Sequence, residues 1–102
     1  MQRGEIWLAD APGGDRPVLV LTRDPVADRI GSVVVAALTR TRRGLSSELP
    51  LTVADDGVPA DSVINFDTIH TLPRQAFRRR VTQLSSERLE EACLVLRAAT
   101  GC

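Results

Sequence analysis

Apolar positions alternate with polar ones through most of the chain and switch to a helical spacing near its end. Glu5-Ile6-Trp7-Leu8-Ala9 has the pattern of a half-buried strand. Asp10 to Asp15, with Pro12-Gly13-Gly14 at its centre, predicts a loop. Val18-Leu19-Val20-Leu21-Thr22 is apolar throughout and suits a strand covered on both faces, with Pro17, which has no N–H, placed at its first residue. Residues 23–31 predict a polar crossover containing Pro25. Ser32 to Thr39 is the longest strand candidate, and it runs into an exposed basic loop, Arg40-Thr41-Arg42-Arg43-Gly44. Glu48 to Val53 alternates again, and Pro50 assigns it to a sheet edge. Asp55-Asp56-Gly57 predicts a turn. Ser62 to Asn65 and Asp67 to Leu72 predict two short strands, and Pro73 predicts the first residue of a short helical turn through Ala76. Arg80 to Leu84 predicts a last strand.

Beyond it, Leu89, Ala92, Cys93, Leu96 and Ala99 form one apolar helical stripe. Ser85 or Ser86 predicts its N-cap, Glu87 places negative charge in the first turn, and Gly101 is the stop. Six or seven short strands followed by one helix predict a mainly β fold, a strongly bent, barrel-like sheet with the C-terminal helix packed against it. The 102 residues support one domain with one core, spanning residues 1–102.

Composition narrows the chemistry. The thirteen basic residues are all arginine, balanced by thirteen acidic ones. His70 is the single histidine, which excludes a paired-histidine mechanism within one chain. Cys93 and Cys102 offer no metal-ligand spacing, so no metal site and no cofactor are expected, and both read as free thiols. Met1 leads into Arg3, Gly4 and Glu5 without an apolar stretch, and Val33 to Leu38 is too short to span a bilayer. No signal peptide, no membrane association and a cytoplasmic location are expected.

Arginine cannot deprotonate and grips phosphate bidentately, so Arg40, Arg42 and Arg43 suit nucleic-acid contact. A solvated surface, with lysine lost to coding bias, explains them equally well. The run Arg78-Arg79-Arg80 carries less weight, because alternate strand residues there point towards the sheet. If the second and third strands pair antiparallel, Arg16 and Thr39 face a common groove; otherwise they are an ordinary strand-end arginine and a strand threonine. Thr68 and His70 fall on the face opposite Ile69 and Thr71, where His70 is either structural or part of a groove lining. Trp7 reads as a core or interface anchor.

Taken in order, Arg3-Gly4-Glu5-Ile6-Trp7, Arg16-Pro17-Val18-Leu19-Val20-Leu21, Val34-Val35-Ala36-Ala37-Leu38-Thr39, Asp61-Ser62-Val63-Ile64 and Ile69-His70-Thr71-Leu72 resemble the MazF/PemK family of toxins of type II toxin–antitoxin systems. The resemblance covers almost the whole chain and is strongest to the family's mycobacterial branch. It implies an SH3-like (CcdB/MazF-type) small β-barrel with a C-terminal helix, acting as a homodimer. It also implies a metal- and ribosome-independent endoribonuclease, an mRNA interferase that cuts single-stranded RNA (mRNA, rRNA or tRNA) to 2′,3′-cyclic phosphate and 5′-OH ends. A cognate MazE-type antitoxin would restrain it.

The same resemblance makes Arg16 and Thr39 the catalytic pair and places Asp15, Arg40, Arg42, Thr68 and His70 along the RNA. Two departures bear on base recognition. The Ala11 to Asp15 loop is shorter than the Gly-Ser-Glu-Gln-type loop common in the family. Asp67-Thr68-Ile69-His70-Thr71 stands where many members have Glu-Gln-Ile-Arg-Thr, so the family's base motifs do not carry over. Two other classes share the architecture: a CcdB-like toxin acting on DNA gyrase through protein contacts, for which Arg16 would be dispensable, and a plain SH3-like binding module. With three aromatic residues in the chain, the second lacks an aromatic-lined groove.

Overall fold

A computed structural model of the chain describes residues 1–23, 29 and 31–102; Pro25 of the expected crossover lies outside them. One antiparallel sheet of six strands runs in the order β4-β5-β3-β2-β1-β6. Its strands are β1 (Glu5–Ala11), β2 (Gly14–Val20), β3 (Ser32–Thr39), β4 (Glu48–Leu51), β5 (Ser62–Pro73) and β6 (Phe77–Gln83). A four-residue helix α1 (Val53–Asp56) follows β4, and α2 (Ser86–Thr100) closes the chain. The sheet is a half-barrel, open between β4 and β6 rather than closed into a full barrel.

Strand periodicity explains why β2 and β3 read as unbroken apolar runs: each feeds a core on both faces. Leu19, Ala36 and Leu38 join Ile6, Ile64 and Phe66 on the face that α2 covers through Ala92, Val95, Leu96 and Ala99. Val18, Val20, Val33 and Val35 join Ala9, Ala11 and Leu72 on the other, where Trp7 and Phe77 also pack. The two rings meet edge to face with centroids 6.2 Å apart, so Trp7 is a core anchor. Val95 completes the helix's buried stripe, a position the sequence pattern left out.

The strand expected from Glu48 to Val53 stops at Leu51, with Val53–Asp56 helical, and the last strand is Phe77–Gln83 instead of Arg80 to Leu84. Three further boundaries differ from expectation, each for a local reason. The predicted Asp10–Asp15 loop is a tight hairpin: Ala11 pairs with Gly14, leaving only Pro12 and Gly13 in the turn. Proline first and a glycine at φ 93 second is the pairing a type II turn demands. The two strands expected between Ser62 and Leu72 are one strand with a bulge, since β3 pairs Ala36 with Ile69 and then Ala37 with Asn65. Asn65 organises the bulge by accepting from Asp67 N–H and donating to Thr68 Oγ1, both at 2.9 Å, while Phe66 turns into the core. Pro73 precedes a 3-10 turn, Arg74–Ala76, as its N-cap instead of opening it. Pro50 does lie on an edge strand, as its missing donor requires.

The open side of the half-barrel is tied by polar contacts. Arg88 of α2 donates to the Asp56 carboxylate at 3.0 Å and to the Pro50 carbonyl, and Thr52 N–H donates to the other Asp56 oxygen at 2.9 Å. Thr82 of β6 bonds the Asp56 carbonyl at 3.3 Å. Ser85 caps α2 by accepting from Arg88 N–H, and Gly101 at φ 76 ends it. At the N-terminus, Glu5 accepts from Gln2 N–H at 2.8 Å and Trp7 Nε1 at 3.1 Å and pairs with Arg80 at 2.9 Å. Burial alone would raise the Glu5 pKa, but those two hydrogen bonds and the Arg80 charge outweigh it and hold the carboxyl below its usual range.

Two outcomes follow from these ties. Asp56 has a side chain only 2% exposed, and removing Arg88 leaves that buried charge with the Thr52 N–H but no cation. Arg88→Ala is expected to cost roughly 2–3 kcal/mol in denaturant unfolding, less than a fully buried pair would because Arg88 itself is a quarter exposed. Because the folded-state pKa of Glu5 is lowered, its contribution is complete above the usual carboxylate value of 4.5 and is lost as pH falls through the lower folded value. The melting temperature is therefore expected to drop below about pH 4.5, and Glu5→Gln to shrink that drop while lowering the melting temperature at pH 7.

Candidate active site

Backbone alternation determines where the sheet opens. Leu21 N–H bonds the Val34 carbonyl at 2.9 Å, so Leu19 and then Pro17 hold the β2 positions whose donors face β3. Pro17 has no donor, and the pairing ends at Val18 with Ala37. Pro17 is thus the fourth residue of β2, not its first; it is tolerated there because the β2–β3 ladder has already stopped. The same register carried two residues further sets Arg16 opposite Thr39, on the face that also holds Val18 and Val35.

At that place a cleft of about 370 Å³ opens. Asp15, Arg16, Thr39, Arg40 and Ser62 supply its polar groups, and Pro17, Leu38, Pro59 and Ala60 its apolar wall. A second cavity of about 250 Å³ adjoins it, sharing Arg40 and Ser62 and adding Arg42, Thr52 and Asp61. The four basic-loop and strand residues expected to act together, Arg16, Thr39, Arg40 and Arg42, are therefore brought into one continuous groove with Asp15 at its end.

Each side chain has a distinct electrostatic state. The Nε of Arg16 is buried without a hydrogen-bond partner, a costly condition unless a ligand supplies an acceptor. Room for its guanidinium comes from Gly13: a Cβ there would lie 2.9 Å from Arg16 Nη2. Thr39 Oγ1 accepts from Thr41 N–H at 3.2 Å, which leaves its own proton free to donate into the cleft. Among the described residues, Arg16, Arg40 and Arg42 have no ion-pair partner, whereas Arg43 pairs with Glu48, Arg78 with Asp15, Arg80 with Glu5 and Arg88 with Asp56.

Thr68 and His70 are not brought to this groove by the chain on its own. The bulge ties Thr68 to Asn65, and His70 lies opposite Val35, four residues and about 13 Å along β3 from Thr39. Gly13 and Ser62 escaped the sequence reading: the first looked like generic turn chemistry, and the second comes from a distant strand. Among the described residues, no group of three or more His, Cys, Asp or Glu side chains is placed to hold a metal ion, and no helix is long and apolar enough to cross a membrane.

Gly13 gives a direct test of this packing. At φ 93 an alanine is strained as well as crowded, so Gly13→Ala is expected to lose about 1–2 kcal/mol of stability. It should also shift the Arg16 Nε–H resonance in an arginine-detected NMR spectrum while leaving the Arg97 resonance in place.

Comparison with known proteins gives the family and the fold. The family of PemK-like, MazF-like toxins of type II toxin–antitoxin systems matches residues 2–100. The chain is 74% identical over 102 residues, the full length of both, to the probable endoribonuclease MazF2 of Mycobacterium tuberculosis. It is 36% identical to the probable endoribonuclease MazF5 of the same organism over 98% of this chain and 93% of that protein. Among solved structures, the Mycobacterium tuberculosis toxin MazF-mt6 superposes with a TM-score of 0.88 at 31% identity, covering 95% of this chain and 96% of that one. A mycobacterial endoribonuclease in complex with its cognate antitoxin shares the fold, with a TM-score of 0.87 at 23% identity over 99% of this chain and 95% of that one. With its half-barrel, C-terminal helix and full-length match, the chain belongs to the PemK-like, MazF-like family of type II toxins.

Proposed function

We propose that the chain is a MazF-type endoribonuclease toxin that cuts single-stranded RNA within a sequence motif, without a metal and without the ribosome. The observation that carries this reading is the cleft in which Arg16, with its buried unpartnered Nε, and Thr39 stand on facing strands beside Arg40. Such a site favours a dianionic phosphorane over water, because fixed guanidinium donors cost little reorganisation when charge develops.

The substrate's own 2′-OH supplies the nucleophile. Its oxygen bonds to phosphorus, the P–O5′ bond breaks, the 2′ proton passes to solvent, and the departing 5′-oxygen takes one up. The products are a 2′,3′-cyclic phosphate and a 5′-OH. Arg16 binds the non-bridging oxygens and steadies the departing one, while the free Thr39 proton hydrogen-bonds the phosphate and fixes the line of attack. Arg40 and Arg42 hold the strand, and Asp15, as an acceptor, takes a hydrogen bond from a sugar or base and not from phosphate. DNA lacks the nucleophile and is expected to be inert.

A MazE-type antitoxin would lay an acidic extended segment over the same groove, where three arginines lack an internal partner among the described residues. The exposed Val34 and Ile69, on one face of adjacent strands, support a homodimer. The chain is expected to act in the cytoplasm, where mRNA is accessible. No observation favours the gyrase-directed alternative.

Incubation of purified protein with a long single-stranded RNA in EDTA tests the reading, with the ends mapped by their phosphorylation state. Arg16→Ala and Thr39→Ala are expected to lower kcat/KM by at least about a hundredfold, and Arg16→Lys not to restore it, because lysine cannot reproduce the planar fork. Intact RNA with wild-type protein, or cuts that survive both substitutions, would overturn it.

A further inference from the structure

The loop between β3 and β4 is held at both ends. At one, Thr41 N–H bonds Thr39 Oγ1. At the other, Glu48 gathers three donors: Arg43 N–H at 3.0 Å and Leu45 N–H at 3.3 Å on Oε1, and Arg43 Nε at 3.3 Å on Oε2. The Glu48 side chain is only 2% exposed. Burial alone would raise its pKa, but the Leu45 and Arg43 amides and the Arg43 guanidinium prevail and hold the carboxyl below its usual range.

An acid beside a phosphate groove should repel the substrate, yet this one is turned entirely onto the loop. It holds Arg43 through Nε and fixes the backbone on the C-terminal side of Arg42. Arg40 and Arg42, without partners among the described residues, then wall the second cavity where it joins the cleft.

We propose that Glu48 is a positioning residue for RNA binding: it pins the Arg43–Leu45 backbone so that Arg42 holds a phosphate flanking the cleaved bond in the second cavity. The inference rests on the nuclease reading above. It divides the three loop arginines by role: Arg40 serves both cavities, Arg42 only the flanking one, and Arg43 belongs to the scaffold.

Steady-state cleavage of a fluorogenic single-stranded RNA tests it, with the melting temperature of every variant measured alongside. Arg42→Ala is expected to raise KM about tenfold with kcat little changed, as loss of one charge-assisted contact made in both ground and transition states would. Glu48→Ala should raise KM by a similar factor, and Glu48→Gln, which keeps an acceptor for the two amides, should recover most of it. In the Glu48→Ala background Arg42→Ala should add less than about twofold, because the contact is already lost. The Arg42→Ala measurement holds the proposal to account even if Glu48→Ala does not fold. An unchanged KM in Arg42→Ala, an unchanged KM in folded Glu48→Ala, or full additivity of the two overturns the proposal while wild-type cleavage stands. Absence of cleavage by the wild type removes the nuclease reading and this proposal with it.

Discussion

A missing backbone donor at Pro17 organises the functional face of this protein. β2 and β3 are hydrogen-bonded while Leu21 and Leu19 supply N–H groups in turn, and they separate where proline comes next. The separation is useful because register survives it: strands that pair up to Val18 and Ala37 cannot rotate out of alignment within two more residues. Arg16 and Thr39 therefore face one another across space and not across a ladder. The hairpin at Pro12-Gly13 completes the arrangement by keeping side-chain volume away from the Arg16 guanidinium.

Charge is distributed by the same economy. A chain with thirteen arginines and thirteen acids is neutral only as an average. Glu5, Asp56 and Glu48 each occupy an arginine in tying the fold, and Asp15 occupies Arg78 at the groove's end. Arg16, Arg40 and Arg42, which have no ion-pair partner among the described residues, border the groove. Salt bridges here matter less for their own small stabilisation than for which arginines they subtract.

Much of this was legible in the order of residues. The alternation in β1, the double-faced runs of β2 and β3, the edge assignment of Pro50 and the stripe of α2 all follow from periodicity and from the limits of proline. The pairing of Arg16 with Thr39 was legible as a possibility that needed only the strand order. What the pattern hid depends on tertiary partners. The break read between two strands at Phe66 is a bulge in a single one, because Phe66 finds a core to enter and Ser47 supplies a carbonyl for its amide. Glu48 looks like one polar position of an alternating strand, and its work on the Arg43–Leu45 amides appears only once the loop folds back. Thr68 and His70, assigned to the RNA by resemblance, do not line the two cavities: Thr68 is bonded to Asn65 and His70 lies opposite Val35.

The outer rim of β4 has a consequence for the behaviour of the free toxin. Its outward donors are consumed internally or absent: Glu48 N–H bonds the Leu45 carbonyl, Pro50 has no N–H and gives its carbonyl to Arg88, and Thr52 N–H is held by Asp56. An incoming chain finds no ladder of free donors there, so sheet growth along this rim is disfavoured. The β4 edge of the half-barrel is thus a poor template for strand addition, and the folded chain is protected there against polymerising.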